Sequence, residues 1–442
     1  MAKVLNYESQ IGQGEVIQSW HVSQSVDAFT GVEDYDITLS GSFTLSGSAK
    51  IEVAELSTST KPFVLSYDAS TGQVFKMNTS SIDDGDDAQE VYTTGSNDNN
   101  IVPAKFGSNT STGTYAAVLG GQCNNAAGTA TTIAGGVCNT ASTAACGFIG
   151  GGCNNILNLS TISIIGGGKE NCIHFGSCSF IGGGCNNDIC GTPGCFGAIV
   201  GGNLNCISFS KCSFIGGGNN NTIKASEGSD NIIVGGTSNN IDGNEMDNST
   251  IGGGCCNNID SGTFTNRTKN TIGGGGKNII TGSSNNSTIA GGLENAISGS
   301  SSIIAGGYGN EVCSPCGFVG GGNKNKVNAS HGVIGGGDQN QVTGDCSVVA
   351  GGLCNLASGA WSFVGAGFSN SSSNSISAII AGNNNDITGQ NSFIGAGNKN
   401  NISGFAASVV GGTENTSSAC RSFIGGGCFN VTNSTGSVIA GG

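Results

Sequence analysis

The sequence is poor in the residues that build an ordinary enzyme domain. Of its 442 residues only 4 are Pro, 6% are aromatic and 10% are charged, whereas about 25% are charged in typical soluble domains. That scarcity argues against a conventional catalytic fold. Basic residues are few: 15 Lys and Arg against 29 Asp and Glu give a formal charge of −14, so nucleic acid and anionic membrane surfaces would be repelled. No stretch approaches the roughly 18 apolar residues of a membrane span. Met1 to Trp20 hold no cationic segment followed by an apolar run, so a soluble chain made without a secretory leader and without membrane insertion is expected. All 19 Cys lie after residue 122 and follow a repeat, which is not the pattern of a small disulfide-stapled domain.

What the chain does have is glycine, 80 residues of it, without the strict third-residue period of collagen. From Ala117 onward one motif recurs: an apolar anchor, three residues rich in Gly, two variable residues and Asn, as in Leu119 to Asn125, Ile149 to Asn155 and Ile334 to Asn340. The spacing of these asparagines ranges from 14 to 21 residues up to Asn295, then is 15 throughout Asn295, Asn310, Asn325, Asn340, Asn355, Asn370, Asn385, Asn400, Asn415 and Asn430. Insertions such as 244–248 and 262–269 must therefore fall in a tolerant turn.

One fixed-length unit reads as strand, glycine turn, strand and second turn: Ser347 to Val349, Ala350 to Gly352, Asn355 to Ala357, then Ser358-Gly359. So short a unit cannot hold a helical hairpin, and each Gly costs a helix about 1 kcal/mol relative to Ala. Two to four β-prone residues between Gly and Asn turns suit short stacked strands. The expected fold is all-β, a parallel β-roll or β-solenoid of about 20 short coils. At about 4.8 Å per coil, the stack would be roughly 100 Å long. Asn suits its corner because it tolerates left-handed backbone and its amide both donates and accepts, so equivalent residues form a ladder up the stack. The glycine triplets are not phosphate-cradling loops: Gly168-Lys169-Glu170 and Gly276-Lys277-Asn278 lack the Lys-Ser/Thr ending that such loops require.

Neighbouring strand residues face opposite sides of a sheet. Phe148, Phe180, Phe214, Phe318, Phe363, Phe393 and Phe423 each precede an apolar anchor, so one large side chain enters the coil and the other points out. An outward phenylalanine stripe marks an interface between subunits. On the second strand Glu311, Lys326, Gln341, Asp386 and Asn401 precede the inner aliphatic residues, which predicts a wet face there. Rolls packed side by side around an axis follow, with a homotrimer as the expected closed form; a ring of two satisfies the same periodicity.

The cysteines fall mainly in two registers: Cys123, Cys138, Cys153, Cys185, Cys255, Cys256, Cys354 and Cys428 after an anchor, and Cys146, Cys178, Cys212, Cys316 and Cys346 three before one. The second set is read as small apolar packers at a corner; late inter-coil disulfides, or zinc at Cys313-Ser314-Pro315-Cys316, are the alternatives. No cofactor is expected. The acids of the roll are mostly scattered singly, the main cluster being Asp242, Glu245 and Asp247, and His21, His174 and His331 fall in unrelated registers. Neither paired glycosidase carboxylates nor a nucleophile triad is indicated, and a non-enzymatic protein is expected.

Residues 1–100 form a separate β-rich region without Cys. Ile37 to Ser48 alternates apolar and polar residues, Phe63 to Met77 reads as a hairpin turning at Asp68 to Gly72, and Asp83 to Asp87 as a solvated loop. Residues 101–116 read as a linker and 117–442 as the repeat shaft.

Ser-Phe followed by Ile/Val-Gly-Gly-Gly-x-x-Asn units, over about residues 115–442, resembles the glycine- and asparagine-rich β-roll repeats of bacteriophage tail fibres and, more distantly, the head repeats of trimeric autotransporter adhesins. Ser23 to Gly31, the Leu-Ser-Gly-Ser repeats and the Phe63 to Met77 hairpin also look like the virion-proximal part of a tail fibre. The resemblance implies a structural protein of the virion tail, assembled in the host cytoplasm. It implies a homotrimer whose N-terminal region docks on a tail or baseplate protein, while its distal end meets a host-surface glycan or outer-membrane protein. A glycan-depolymerising tailspike and a self-assembling extracellular filament or adhesin are the other readings.

Overall fold

Pairs of β-branched or aromatic residues set between obligatory turns leave room for strands of only two residues, and strands of that length dominate. The computed structural model describes residues 108–442 apart from 227–228, 245, 261, 263–268 and 283, together with Lys3–Val4, Tyr35–Asp36, Phe63–Asp68, Gln73–Asn78, Thr93–Thr94 and Ile101–Val102. These residues form strands and turns, with no helix among them. The chain divides into two units, Met1–Ala88 and Gln89–Gly442. In the first, Phe63–Asp68 and Gln73–Asn78 pair antiparallel with Asp68 opposite Gln73. The alternating segment 37–48, the acidic loop 83–87 and residues 95–100 lie outside the described residues.

The second unit is a parallel β-solenoid of about 20 turns. One sheet stacks 21 parallel strands from Ala117–Val118 to Val438–Ile439, and the other stacks 21 from Thr110–Ser111 to Val431–Thr432. Register does not slip along the regular half: Phe363 lies opposite Ala378, and Ala378 opposite Phe393. Each coil donates backbone hydrogen bonds to the next, as from Val348 N–H to Ser362 O and Ala350 N–H to Val364 O, both at 2.9 Å.

The interior is narrow. In one coil Ile394 and Ile402 are fully buried while Phe393 and Asn401 point outward. Burying each such aliphatic side chain contributes about 1.5–3 kcal/mol, and the column repeats it up the stack, each layer closing the one below.

The glycine turn brings successive coils into close approach. Gly352 has φ +93°, and a Cβ there would lie 2.3 Å from Gly367 O and 2.5 Å from Asn355 Nδ2. The same position is Gly in every coil from Gly121 to Gly427. The middle of the triplet is free: a Cβ on Gly351 meets nothing within 4 Å, and Ala366, Ala381 and Ala396 occupy that place. Only the third glycine is required.

Length variation sits, as expected, in the opposite turn. Residues 244–249 separate the second-sheet strand Asn240–Gly243 from Thr250–Ile251, and residues 261–270 separate Asn258–Asp260 from Thr271–Ile272. The stack also starts earlier than the motif: Ile101 pairs with Ala117, and Thr110–Ser111 with Asn125–Ala126. The glycine triplet is missing from that first coil, so the motif does not flag it.

Gly352→Ala is expected to destabilise the protein by about 2–4 kcal/mol, because Ala is strained at positive φ and strikes the next coil. Gly351→Ala should stay within about 0.5 kcal/mol of the parent. Denaturant titration of the two variants checks both figures.

Candidate functional site

The predicted asparagines line up in one column, each fully or almost fully buried from Asn295 to Asn415. Asn340 is typical: its Nδ2 donates to Asn325 Oδ1 at 3.1 Å, Gly336 O at 3.0 Å and Gly352 O at 2.9 Å. Its Oδ1 accepts from Asn355 N–H at 3.0 Å and Asn355 Nδ2 at 3.2 Å. Asn430 completes the column, donating to Asn415 Oδ1 at 3.0 Å. A column so completely engaged with its own backbone has no ligand-binding capacity left.

Two details differ from the sequence reading. The ladder residue of the first motif is Asn124, not Asn125: it bonds to Asn109 below and Asn139 above, each 15 residues away. The true anchor is Val118, buried, while Leu119 points outward; two adjacent asparagines and two adjacent aliphatic residues concealed the register. The left-handed residue is also not the ladder Asn but the one before it, such as Asn154, Gln339 or Cys354, with φ of 54°, 54° and 57°. The ladder Asn recurs for its amide alone.

A second column went unread. Ser347, Ser362, Ser377 and Ser392 are buried at the opposite corner, where Ser347 Oγ accepts from Ser362 N–H at 2.9 Å and donates to Gly359 O at 2.6 Å. The Ser of the recurring Ser-Phe pair is its signal. This column corrects the cysteine reading: Cys146, Cys178, Cys212 and Cys316 are exposed and Cys346 half-buried. They occupy the corner residue at φ +50° to +57°, whose side chain leaves the coil, and the buried place is taken by the next residue, such as Ser179 or Ser347.

The outward phenylalanines form one flank of the first sheet. Phe148, Phe180, Phe214, Phe318, Phe393 and Phe423 remain 36–40% exposed, and Phe363 is half-buried. Six of the seven rings lean over the residue two places on: a Cβ on Gly150 would lie 3.4 Å from Phe148 Cε1, and one on Gly365 3.3 Å from Phe363 Cε1. The sequence obeys this geometry. All seven phenylalanines have Gly two places on, whereas Ala117, Ala198, Ala378 and Ser408 are followed there by Leu119, Val200, Ile380 and Val410, which are 42–50% exposed. In these coils large stands beside small and small beside large, but the flank as a whole is uneven: Ile232 and Val234 are both large, whereas Thr250, Thr271 and Thr288 are followed by Gly252, Gly273 and Ala290. Pairing each anchor with both its neighbours would have found this pattern.

The second sheet's outer face is mixed and not uniformly wet. Glu311, Lys326 and Asp386 are half-buried and Gln341 and Asn401 exposed, but Ile156, Ile279 and Val431 are also exposed in that column. Glu311 meets Lys326 at 2.7 Å, a surface pair contributing at most about 1 kcal/mol. In the acidic insertion Asp247 is buried and accepts from Ser229 N–H at 2.9 Å and its hydroxyl at 3.2 Å. It fastens a turn; Glu245 lies outside the described residues.

Titratable groups converge elsewhere on the same sheet. Cys172, Asp188 and Cys206 are in register on three successive coils, as are His174, Cys190 and Ser208. The ligand atoms of Asp188, Cys190 and Cys206 all lie within 4.8 Å of one another. Burial pushes the Cys172 thiol up to about 12, with the Asp188 charge adding to it, and raises the Asp188 carboxyl. A hydrogen bond between the two thiols holds Cys190 above and Cys206 below the ordinary range. His174 Nδ1 lies 3.1 Å from the Asn158 amide. The metal-spaced pair Cys313 and Cys316 does not belong here: Cys313 donates to Glu311 at 3.0 Å, and Cys316 stands at an exposed corner.

Asn340→Ala removes five side-chain hydrogen bonds and strands Gly336 O and Asn355 N–H, while Asn325 Oδ1 and Gly352 O keep the backbone N–H groups of Asn340 and Asp338; it should cost about 3–5 kcal/mol. Gln339→Ala at the exposed neighbour should cost under about 0.5 kcal/mol; thermal and denaturant unfolding of both variants provide the comparison. No family model matches this chain, and no curated protein matches it either.

Proposed function

We propose that the chain is the shaft of a homotrimeric phage tail fibre, a non-enzymatic structural protein that mediates attachment to the host surface. The outward apolar flank of the first sheet carries the oligomeric part of this reading. A continuous column of outward aromatic and aliphatic side chains is the kind of apolar patch that a packed neighbour covers. A neighbour that follows the flank from coil to coil needs the same axial repeat of about 4.8 Å, and an identical copy supplies that repeat automatically. Three copies around an axis hide the flank of each and leave the mixed second sheet outward. Virion docking through the N-terminal region, and a glycan or outer-membrane protein as receptor, rest on the resemblance of the repeats to tail fibres.

Light scattering coupled to gel filtration should give three times the mass of one chain. Phe393→Ser combined with Phe423→Ser should shift the species toward monomer, at a cost of about 3–5 kcal/mol for each ring that is buried in the assembly. A monomeric parent protein would sink the oligomeric reading. Incubation with host polysaccharide should leave the glycan intact; released oligosaccharide would instead favour the tailspike, and open-ended filaments in negative stain the self-assembling appendage.

A further inference from the structure

The geometry points to a thiolate-rich site for a zinc-class divalent cation on the outer face of the second sheet, formed by Asp188, Cys190 and Cys206. Two sulfurs and a carboxylate are donors for borderline-soft ions such as Zn²⁺ and are poor donors for Ca²⁺ or Mg²⁺. Tetrahedral zinc places sulfur ligands about 3.8 Å apart. The three ligand atoms already lie within 4.8 Å of one another, so a small contraction through side-chain rotation closes the set.

Backbone supplies the rest of the case. Asp188 and Cys190 lie on one face of a strand, two residues apart, and the adjacent coils place Cys172 and Cys206 directly on either side of Asp188. This strand is exceptional: Asp188–Cys195 runs for eight residues, where most strands have two. Pairing shifts register between His174 and Gly176 along it. The cluster therefore sits where the coil departs most from the regular pattern, and it is half-buried throughout. Its limits are defined, because the next coils carry Ile156 and Asn158 on one side and Thr222 and Lys224 on the other. None of these offers a soft ligand.

Binding releases the thiol protons of Cys190 and Cys206 to solvent and joins both thiolates and the Asp188 carboxylate to the ion. The fourth position falls to water. The ion then fastens two consecutive coils at the irregular turn, independently of the flank proposed to join copies.

The test uses the full reduced chain and Co²⁺ as the optical probe. One equivalent of Co²⁺ should saturate an intense thiolate-to-cobalt charge-transfer band, and Zn²⁺ should abolish it by displacement. Cys190→Ser with Cys206→Ser should lose the band, and Asp188→Asn should weaken binding at least about tenfold. Cys313→Ser with Cys316→Ser, and Cys255→Ser with Cys256→Ser, should leave it unchanged. Circular dichroism and melting of each variant establish that the fold is retained; Asp188→Asn, nearly isosteric, remains informative if the double variant does not fold. Absence of the band in the parent would overturn the proposal, as would a band that survives Cys190→Ser with Cys206→Ser or undiminished affinity in Asp188→Asn. A Cys190–Cys206 disulfide found by mass analysis in place of bound metal would overturn it too.

Discussion

The close approach of successive backbones at the Gly-x-x-Asn corner is the constraint on which everything else depends. A carbonyl of the next coil occupies the space in which a Cβ would stand, and the amide three residues on fastens that carbonyl to the rest of the turn. One residue type makes room and the other satisfies the polar groups thus brought together. The two are inseparable: the approach without the amide would bury bare carbonyls, and the amide without the approach would have nothing to bind.

A solenoid held this way needs little core. In most coils two aliphatic side chains, a buried Asn at one corner and a small residue or Ser at the other fill the interior, with Ser372, Ser417 or Thr432 replacing the second aliphatic residue in others, and each layer touches only its neighbours. Stability is then approximately a sum over adjacent layers. The two corners divide the labour. The Asn corner does not lengthen, because its bonds span a fixed turn; the Ser corner tolerates Gly, Ala, Asn and Thr in its column, and all the described insertions leave from it.

Much of this was legible in the chain. The Gly and Asn period fixed the strand count, the inward anchors and the outward phenylalanines, because the physics that sets them acts within one unit. The first register was misread where Leu119 and Asn125 each sit beside a residue of the same type. The left-handed position was assigned to Asn because Asn tolerates it, although the coil imposes that conformation on Leu204, Lys277 and Trp361 as well. The thiol cluster was invisible for a different reason. Cys172, Asp188 and Cys206 are separated by 16 and 18 residues, and only the pairing of coils with unequal turns brings them together.

The phenylalanine stripe is irregular on a rod that is otherwise periodic. Phe148, Phe180 and Phe214 occupy alternate coils, Ile232 and then three threonines follow at Thr250, Thr271 and Thr288, and after Ile303 the rings return at uneven intervals from Phe318 to Phe423. A strictly repeating surface would allow a companion to slide by one step at no cost, leaving many equivalent alignments. Bulges and notches in an aperiodic order remove that degeneracy: like the cuts of a key, they would give such a companion one preferred axial setting.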